Sequence, residues 1–166
     1  MAILKIARLG NPVLSARAME IAEPRSLEIR RLIHDMAETL ADAGGIGLAA
    51  PQVHVPLRLF LWRDGAALHV LMNPHLSPLG LETAQAWEGC LSIPGLRGEV
   101  ERPDRVAWRG LDENGDPVEG ERRGLAARVL QHENDHLDGV FYLMRMKDLS
   151  RLGFTEELAR LAEDAK

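Results

Sequence analysis

The sequence predicts an α+β fold, because its strand-like segments are grouped between separate helix-like segments instead of alternating with them. Three observations support this prediction. Apolar residues recur at the helical period early in the chain and again after residue 124. Between these segments lie apolar runs of strand length. The turn-forming dipeptides Asp64-Gly65 and Asn114-Gly115 separate those runs.

The first helix is predicted to begin after Ser26 and to end near Gly44. Its apolar side chains recur every three or four residues, at Ile29, Leu32, Ile33, Met36 and Leu40. Ser26 can cap the N-terminus by accepting a hydrogen bond from a backbone N–H. Gly44 can adopt the left-handed conformation that commonly follows a helix.

Four strands are predicted from apolar runs that turn residues bound. They cover residues 57–62, 68–72, 105–111 and 117–121. The first two should form a hairpin through Asp64-Gly65. The last two can pair in the same way across Asn114-Gly115.

Residues 125–137 are predicted to form a second helix, and Gly139 is the residue that closes its C-terminal end. One face of this helix is apolar at its N-terminal end and carries imidazoles at its C-terminal end. That face comprises Leu125, Val129, His132 and His136. Such a helix is expected to be buried and to bear a functional site. The final segment, residues 149–166, is predicted to form a third helix that packs through Leu158 and Leu161.

Length and composition favour one cytoplasmic enzyme domain that spans residues 1–166. The net charge of −5 and the lack of a basic patch argue against direct nucleic-acid binding. No apolar run approaches the length of a membrane span, and the N-terminus has no secretory core. The only cysteine, Cys90, excludes an intrachain disulfide and suits a reducing compartment.

The second predicted helix contains the pattern His-Glu-x-x-His at residues 132–136. Because residues four apart lie on one helix face, His132 and His136 can bind a single metal ion. Glu133 is then close enough to take a proton from a water molecule at that ion. The pattern is typical of metal-dependent hydrolases, although an amphipathic helix with two exposed histidines would look the same.

A catalytic site of this type needs a third protein ligand. Cys90 is one candidate, but a lone cysteine is most often a small buried apolar residue. Glu156 or Glu157 could serve by spacing, as in thermolysin-like metallopeptidases. The metzincin pattern is incomplete because Tyr142 stands where its third histidine would be.

Three segments together resemble the peptide deformylases. Residues 45–52, 88–92 and 131–137 match the three motifs of that family in order and spacing. Residues 1–6 and 138–142 also look like the family, so the resemblance covers nearly the whole chain. Residues 53–56, Val-His-Val-Pro, depart from the glycine-containing loop that usually follows the first motif.

This resemblance implies antiparallel β-sheets packed around a central helix that carries the His-Glu-x-x-His motif. It implies hydrolysis of the N-formyl group from the N-terminal methionine of newly synthesised polypeptides, with release of formate. The implied ligands of one divalent metal ion are Cys90, His132 and His136. The ion would be Fe2+ in the cell, and Zn2+, Ni2+ or Co2+ would be able to substitute. Glu133 would be the proton acceptor, while Gln52 and the backbone N–H of Leu91 would stabilise the developing oxyanion.

The family also implies that substrates bind by main-chain pairing, which tolerates any downstream sequence. The candidate substrate-contacting residues are Gly45, Ile46, Gly47, Glu88, Gly89, Arg97 and Val129. Of these, Ile46 and Val129 would line a pocket for the methionine side chain, although ordinary core packing is an alternative. Arg97 would lie near the distal end of the peptide. Glu88 would orient the site by pairing with Arg102.

The implied partners are N-formylmethionyl nascent polypeptides, and the protein is expected to be a monomer. Some family members dock on the ribosome through a basic C-terminal helix. Acidic residues offset the basic ones in that segment here, so docking by this route is not expected, while another transient ribosome contact stays open. Two other functions stay open: a metallopeptidase with Glu156 or Glu157 as third ligand, and a catalytically silent peptide-binding relative.

Overall fold

The structure is a computed structural model that describes residues 2–164. The described chain forms three α-helices: α1 (Leu27–Asp42), α2 (Gly124–Leu137) and α3 (Thr155–Asp164). Its eight strands are β1 (Gly47–Ala49), β2 (Leu59–Asp64), β3 (Ala67–Pro78), β4 (Thr83–Cys90), β5 (Ile93–Pro103), β6 (Arg105–Leu111), β7 (Pro117–Arg123) and β8 (Leu152–Phe154). The predicted α+β class is confirmed.

The strands form two antiparallel sheets, which α2 joins. The larger sheet has the order β1-β2-β3-β6-β7, and the smaller one has the order β4-β5-β8. Helix α2 contacts strands of both sheets, so it is the central helix that the family resemblance implied. Both faces of β2 are buried in this arrangement: Leu59 and Leu61 pack toward α1, while Phe60 and Trp62 pack in the cluster that includes α2.

Helix α1 begins and ends where the sequence predicted. The Ser26 hydroxyl accepts a hydrogen bond from the Ile29 N–H at 3.4 Å. At the other end Gly44 takes a left-handed φ of 63°, directly after the C-cap residue Ala43. Met36 and Leu40 are fully buried, which fixes the helix against the larger sheet.

The predicted strands of the larger sheet are found, with one important extension. Strand β6 matches its predicted bounds, and the β2–β3 turn occupies Gly65–Ala66, one residue later than expected. Strand β3 runs on to Pro78, although residue 72 was predicted to be its end. Asn73 has a φ of 48°, and the pairing register shifts between Met72 and His75. A β-bulge therefore carries the strand past its predicted end at residue 72.

The hairpin of β4 and β5 was missed by the sequence analysis, as were the short strands β1 and β8. The two long strands pair from Thr83↔Pro103 to Gly89↔Arg97. Buried charged residues, Glu88 on β4 and Arg102 on β5, point from this hairpin toward α2. The strands were overlooked because their inward positions do not carry the apolar alternation by which strands are recognised.

The prediction for the C-terminal segment was partly wrong. Leu149–Arg151 forms a short 3-10 helix and Leu152–Phe154 pairs with β5, so α3 begins only at Thr155. Leu158 is partly buried against Gly153, but Leu161 is 66% exposed and does not pack as predicted. The predicted final residues 165–166 lie outside the described range. Within that range, no helix combines the length and the apolar character that crossing a lipid bilayer requires.

Candidate active site

The two histidines of α2 meet Cys90 at the point where β4 ends. One potential ligand atom from each of Cys90, His132 and His136 lies within 4.8 Å of the others. The Cys90 Sγ is 3.2 Å from the His136 Nε2, and the two imidazole centroids are 5.0 Å apart. The spacing of one helical turn places the histidines together, as predicted.

A break in the strand register brings the thiol to these imidazoles. Strand β4 pairs regularly with β5 up to Gly89, after which the register shifts and Cys90 pairs with Ile93. A bulge of this kind re-aims a side chain relative to the regular alternation of a strand. Leu91 and Ser92 follow in the tight turn that leads to β5.

Glu88 is hydrogen-bonded to the Nδ1 side of the His132 imidazole. The carboxylate is 5% exposed and accepts a hydrogen bond from the His132 Nδ1–H at 2.8 Å, which leaves Nε2 free to bind an ion. It also accepts two hydrogen bonds from Arg102, at 2.6 and 2.9 Å, and one from Arg128 at 2.8 Å. Burial alone would raise the pKa of Glu88, but the hydrogen bonds from His132 and Arg102 lower it to about 2. The predicted Glu88–Arg102 pair is confirmed.

The charge network around Glu88 continues from Arg102 to the carboxylate of Asp135. Arg102 donates to Asp135 at 2.8 Å, and Arg145 donates to the other carboxylate oxygen at 2.7 Å. Arg128 donates in addition to the carbonyls of Val100 and Ala84. Since each buried charge has both an ionic partner and hydrogen bonds, the network ties α2 firmly to the β4–β5 hairpin.

The donor set fits a divalent metal ion. A thiolate and two imidazoles suit Zn2+ or Fe2+, and three protein ligands leave one position for water or substrate. Burial would lower the pKa of His132, but Cys90, Glu88 and Glu133 raise it to about 10, so the surroundings stabilise positive charge there. Burial and the neighbouring His132 lower the pKa of His136.

The other candidate ligands lie elsewhere. Glu156 and Glu157 are exposed on α3 and belong to no possible metal-binding group within residues 2–164. A second group of possible ligands, His34, Asp35 and Glu38, lies on α1, and His34 is exposed. Among the described residues, therefore, Cys90 is the third ligand candidate that joins the two histidines of α2.

Glu133 lies beside the ligands in a less polar environment. Its side chain is buried, and its Oε2 has no hydrogen-bond partner among the residues that the structure describes. Burial raises the pKa of this carboxyl to about 7. Gly47 of β1 packs directly against it, and a Cβ atom at that position would overlap the carboxylate. The carboxyl can therefore exchange protons with a molecule in the site.

Gln52 approaches the same point from the short 3-10 helix Ala50–Val53 that follows β1. Its Oε1 accepts a hydrogen bond from the Ala49 N–H at 2.8 Å. Its Nε2 donates to the Ser92 Oγ at 3.2 Å and lies 3.6 Å from the Cys90 Sγ. One amide N–H therefore points toward the Cys90 sulfur of the ligand cluster.

A cavity of about 660 Å³ opens onto these groups. All the predicted substrate-contacting residues line it: Gly45, Ile46, Gly47, Glu88, Gly89, Arg97 and Val129. Gln52, Cys90, Leu91, His132 and Glu133 line it too. Ile46 and Leu125 are 51% and 67% exposed at its edge, so the cavity is accessible and partly apolar.

Two features of the site were not found from the sequence. Arg128 reaches Glu88 from α2, and Ser92 reaches Gln52 from the β4–β5 turn. Arg128 precedes His132 by one helical turn, so the i, i+4 rule could have placed it on the same face. Ser92 lies within the motif at residues 88–92, but nothing local indicates its contact with Gln52, which is 40 residues away in the chain.

The sequence model of the polypeptide deformylase family matches residues 3–152, which carry the whole of this site. The chain belongs to that family. Members of the polypeptide deformylase family are metal-dependent hydrolases that remove the formyl group from N-terminal formylmethionine.

Individual relatives agree with the polypeptide deformylase assignment. The chain is 43% identical to peptide deformylase 1 of Prochlorococcus marinus, over 95% of this chain and 88% of the relative. It is 46% identical to the peptide deformylase of a Parafrankia species, over 88% of this chain and 80% of that one.

Solved structures give the same result. The Synechococcus elongatus peptide deformylase in complex with actinonin superposes with a TM-score of 0.86 at 38% identity, covering 91% of this chain and 82% of that one. The Thermotoga maritima peptide deformylase has a TM-score of 0.86 at 37% identity, covering 89% and 100%.

Proposed function

We propose that this protein hydrolyses the N-formyl group from the N-terminal methionine of newly synthesised polypeptides and releases formate. One observation carries the proposal. A cysteine sulfur and two imidazoles lie within 4.8 Å of one another beside a buried carboxyl with an unpartnered oxygen. That arrangement combines a metal-binding group with a general base, which is what amide hydrolysis by an activated water requires.

Cys90, His132 and His136 would hold one divalent ion. When bound, such an ion lowers the pKa of water to about 7 and polarises a carbonyl group. We assign Fe2+ as the ion in the cell, with Zn2+, Ni2+ or Co2+ able to replace it, because a mixed sulfur and nitrogen set accepts several divalent metals. Glu88 supports the site by keeping the His132 Nδ1–H hydrogen-bonded, so that Nε2 would be the atom left to hold the ion.

Glu133 moves the proton. Its carboxylate takes a proton from the attacking water as the water oxygen bonds to the formyl carbon. When the C–N bond breaks, the same carboxyl delivers that proton to the departing amine nitrogen. The formic acid formed loses its proton to the amine or to solvent, so the products are formate and a polypeptide whose N-terminal methionine carries a free amino group. A pKa raised to about 7 suits a group that must both accept and return a proton near neutrality.

Gln52 and Leu91 stabilise the oxyanion. The formyl oxygen gains negative charge during attack, and the Gln52 Nε2–H and the Leu91 backbone N–H are the donors we assign to it. Both residues line the cavity beside Cys90. Removal of one such donor typically lowers kcat by about 10²–10³-fold.

The substrate lies along the free edge of β4. This strand is at the edge of the smaller sheet, so its main chain can pair with an extended peptide. Gly89 on one side, and Gly45, Ile46 and Gly47 on the other, would pair with the peptide backbone. Ile46 and Val129 would contact the methionine side chain, and Arg97 would lie near the distal end of the peptide.

The remaining proposals concern the cellular location, the oligomeric state, the domain and the partners of the enzyme. We assign it to the cytoplasm as a monomer with one catalytic domain, residues 1–166, acting on nascent polypeptides without reading nucleic acid. A ribosome contact would have to use a surface other than a basic C-terminal helix, because α3 exposes Glu156 and Glu157 in its first turn.

Formate release from formyl-Met-Ala-Ser by anaerobically purified protein, paired with elemental analysis, tests the proposal. We expect turnover and about one divalent ion per chain. Cys90→Ser should lose both, whereas Glu156→Gln and Glu157→Gln should retain both and serve as controls. Full metal content and activity in Cys90→Ser would contradict the proposal. An absence of turnover with a loaded metal would favour the catalytically silent relative.

A further inference from the structure

The side-chain amide of Gln52 is held in one orientation. The Ala49 N–H is a donor and lies 2.8 Å from one terminal atom of the amide, so that atom must be the oxygen. The nitrogen therefore faces Ser92 and Cys90. Gln52 is 2% exposed, so water does not compete for these positions.

Ser92 accepts one of the two amide hydrogens. The Gln52 Nε2 and the Ser92 Oγ are 3.2 Å apart, and Ser92 is only 1% exposed. The second hydrogen is donated toward the Cys90 Sγ, which lies 3.6 Å from the same nitrogen, and so it points at the ligand cluster. Because Ser92 accepts one hydrogen, the other is held facing the ligand cluster, where the proposed oxyanion would form.

The backbones of both residues are fixed by the same N-terminal segment. The Ala7 N–H donates to the Gln52 carbonyl at 2.7 Å, and the Leu9 N–H donates to the Ser92 carbonyl at 2.9 Å. The first motif and the β4–β5 turn are therefore tied together independently of their side chains. The Ser92 hydroxyl can act on the amide without being needed to hold the two segments together.

We propose that Ser92 is a positioning residue that orients the Gln52 amide N–H toward the reacting carbonyl. The proposal rests on the oxyanion role proposed for Gln52. Ser92 does not touch the substrate, and it acts only through Gln52. Preorganised donors stabilise a transition state because they need no reorganisation when charge develops.

A double-mutant cycle separates this role from a merely structural one. We expect Ser92→Ala to lower kcat by about 3- to 10-fold, the equivalent of one neutral hydrogen bond, with KM and metal content unchanged. In the Gln52→Ala background the same substitution should have no further effect, because the amide that it orients is gone. Thr39→Val, which removes a buried hydroxyl with two hydrogen bonds from α1, is the control for a general loss of stability.

The pair Ser92→Thr and Ser92→Val tests the hydroxyl at constant shape. Threonine and valine side chains have nearly the same shape and are both larger than serine, so any packing effect of the added volume is common to the two variants. The threonine variant should keep a kcat about 3- to 10-fold higher than that of the valine variant. Equal kcat values would overturn the proposal even if Ser92→Ala folds poorly.

Selective 15N labelling of glutamine gives a readout that is independent of turnover. The chain has three glutamines, Gln52, Gln85 and Gln131. In zinc-loaded protein, Ser92→Ala should shift the side-chain amide signals of Gln52. The signals of Gln131 should not move, because its amide donates to the Pro103 and Ala127 carbonyls and makes no hydrogen bond with Ser92.

The outcomes distinguish the two proposals. If Gln52→Ala lowers kcat but Ser92→Ala does not, or lowers it equally in both backgrounds, the positioning role is wrong and the Gln52 role stands. If Gln52→Ala leaves kcat unchanged, the oxyanion role of Gln52 fails and the positioning proposal fails with it. Unmoved Gln52 amide signals in Ser92→Ala would also overturn the positioning role.

Discussion

Two buried glutamates face the same cluster of ligands, and their surroundings make them chemically different. Glu88, on the β4 side, receives hydrogen bonds from Arg102, Arg128 and His132. Glu133, on the β1 side, has an oxygen without any partner among the described residues. Burial affects both, yet the pKa of Glu88 falls to about 2 while that of Glu133 rises to about 7. The local donors, and not the residue type, separate a structural carboxylate from a reactive one.

The difference originates in the strands that each glutamate faces. The β4–β5 hairpin brings Arg102 toward α2, and α2 itself supplies Arg128 one turn before His132. Strand β1 presents the backbone of Gly47, which adds no side-chain donor. Because α2 lies between two sheets, the site has a charged, rigid side next to the β4–β5 hairpin and a reactive side next to β1.

Glu133→Gln should have the largest effect, because it removes the proposed proton acceptor without changing the shape of the side chain. We expect kcat to fall by about 10²–10⁴-fold, while the metal content stays that of the wild type. Formate release and elemental analysis on the same preparation would measure both. A kcat within a few fold of wild type would show that Glu133 is not the proton acceptor.

Glu88→Gln should give the opposite pattern, with a loss of stability and metal affinity. Removal of this charge leaves Arg128 without its buried ionic partner and Arg102 with Asp135 alone, and breaking such a pair typically costs about 3–5 kcal/mol of unfolding free energy. Weaker support for His132 should lower metal affinity by about 10–100-fold. Urea unfolding and metal competition titrations would measure these effects. Exposed Glu119→Gln is the control, and a Glu88→Gln variant as stable as this control would contradict the comparison.

Gly47→Ala tests the reactive side by steric means. A new Cβ would overlap the Glu133 carboxylate, so the carboxylate must move. A displacement of about 1 Å can lower the rate by about 10²-fold, and we expect that fall in kcat with metal content retained. Gly120→Ala is the matched control, since its Cβ would crowd Trp108 at 2.9 Å, away from the cavity-lining residues. The control should lose stability and keep its kcat, and equal kcat losses in both variants would argue for a general packing effect.

Tyr142→Phe should have the smallest effect. The Tyr142 ring stacks on His132 with centroids 6.2 Å apart, and its buried hydroxyl has no hydrogen-bond partner among the described residues. Removing an unsatisfied polar group while keeping the ring should change stability by less than about 1 kcal/mol and leave kcat near wild type. Thermal unfolding and formate release would check this, and a large fall in kcat would reveal a role for the hydroxyl.

Local patterns account for the parts of the fold that were predicted correctly. Helix α1 and the site helix α2 follow from apolar periodicity and from their bounding Ser26, Gly44 and Gly139, all of which are short-range signals. The β4–β5 hairpin was missed because it satisfies its inward charges through partners such as Arg102 and Glu88, 14 residues apart. The start of α3 was misplaced because the pairing of β8 with β5 overrides helical propensity there.

The sequence by itself determined that His132 and His136 share a helix face with Glu133 next to them, because one helical turn sets that distance. It also determined, through three motifs in register, which family the chain resembles. The resemblance implied Cys90 as the third ligand, but the tertiary structure brought its thiol to the imidazoles, and only the tertiary structure showed that Arg128 and Ser92 support Glu88 and Gln52. These pairs are 40 or more residues apart in the chain, so no local pattern encodes them; sheet pairing and the bulge at the end of β4 create them.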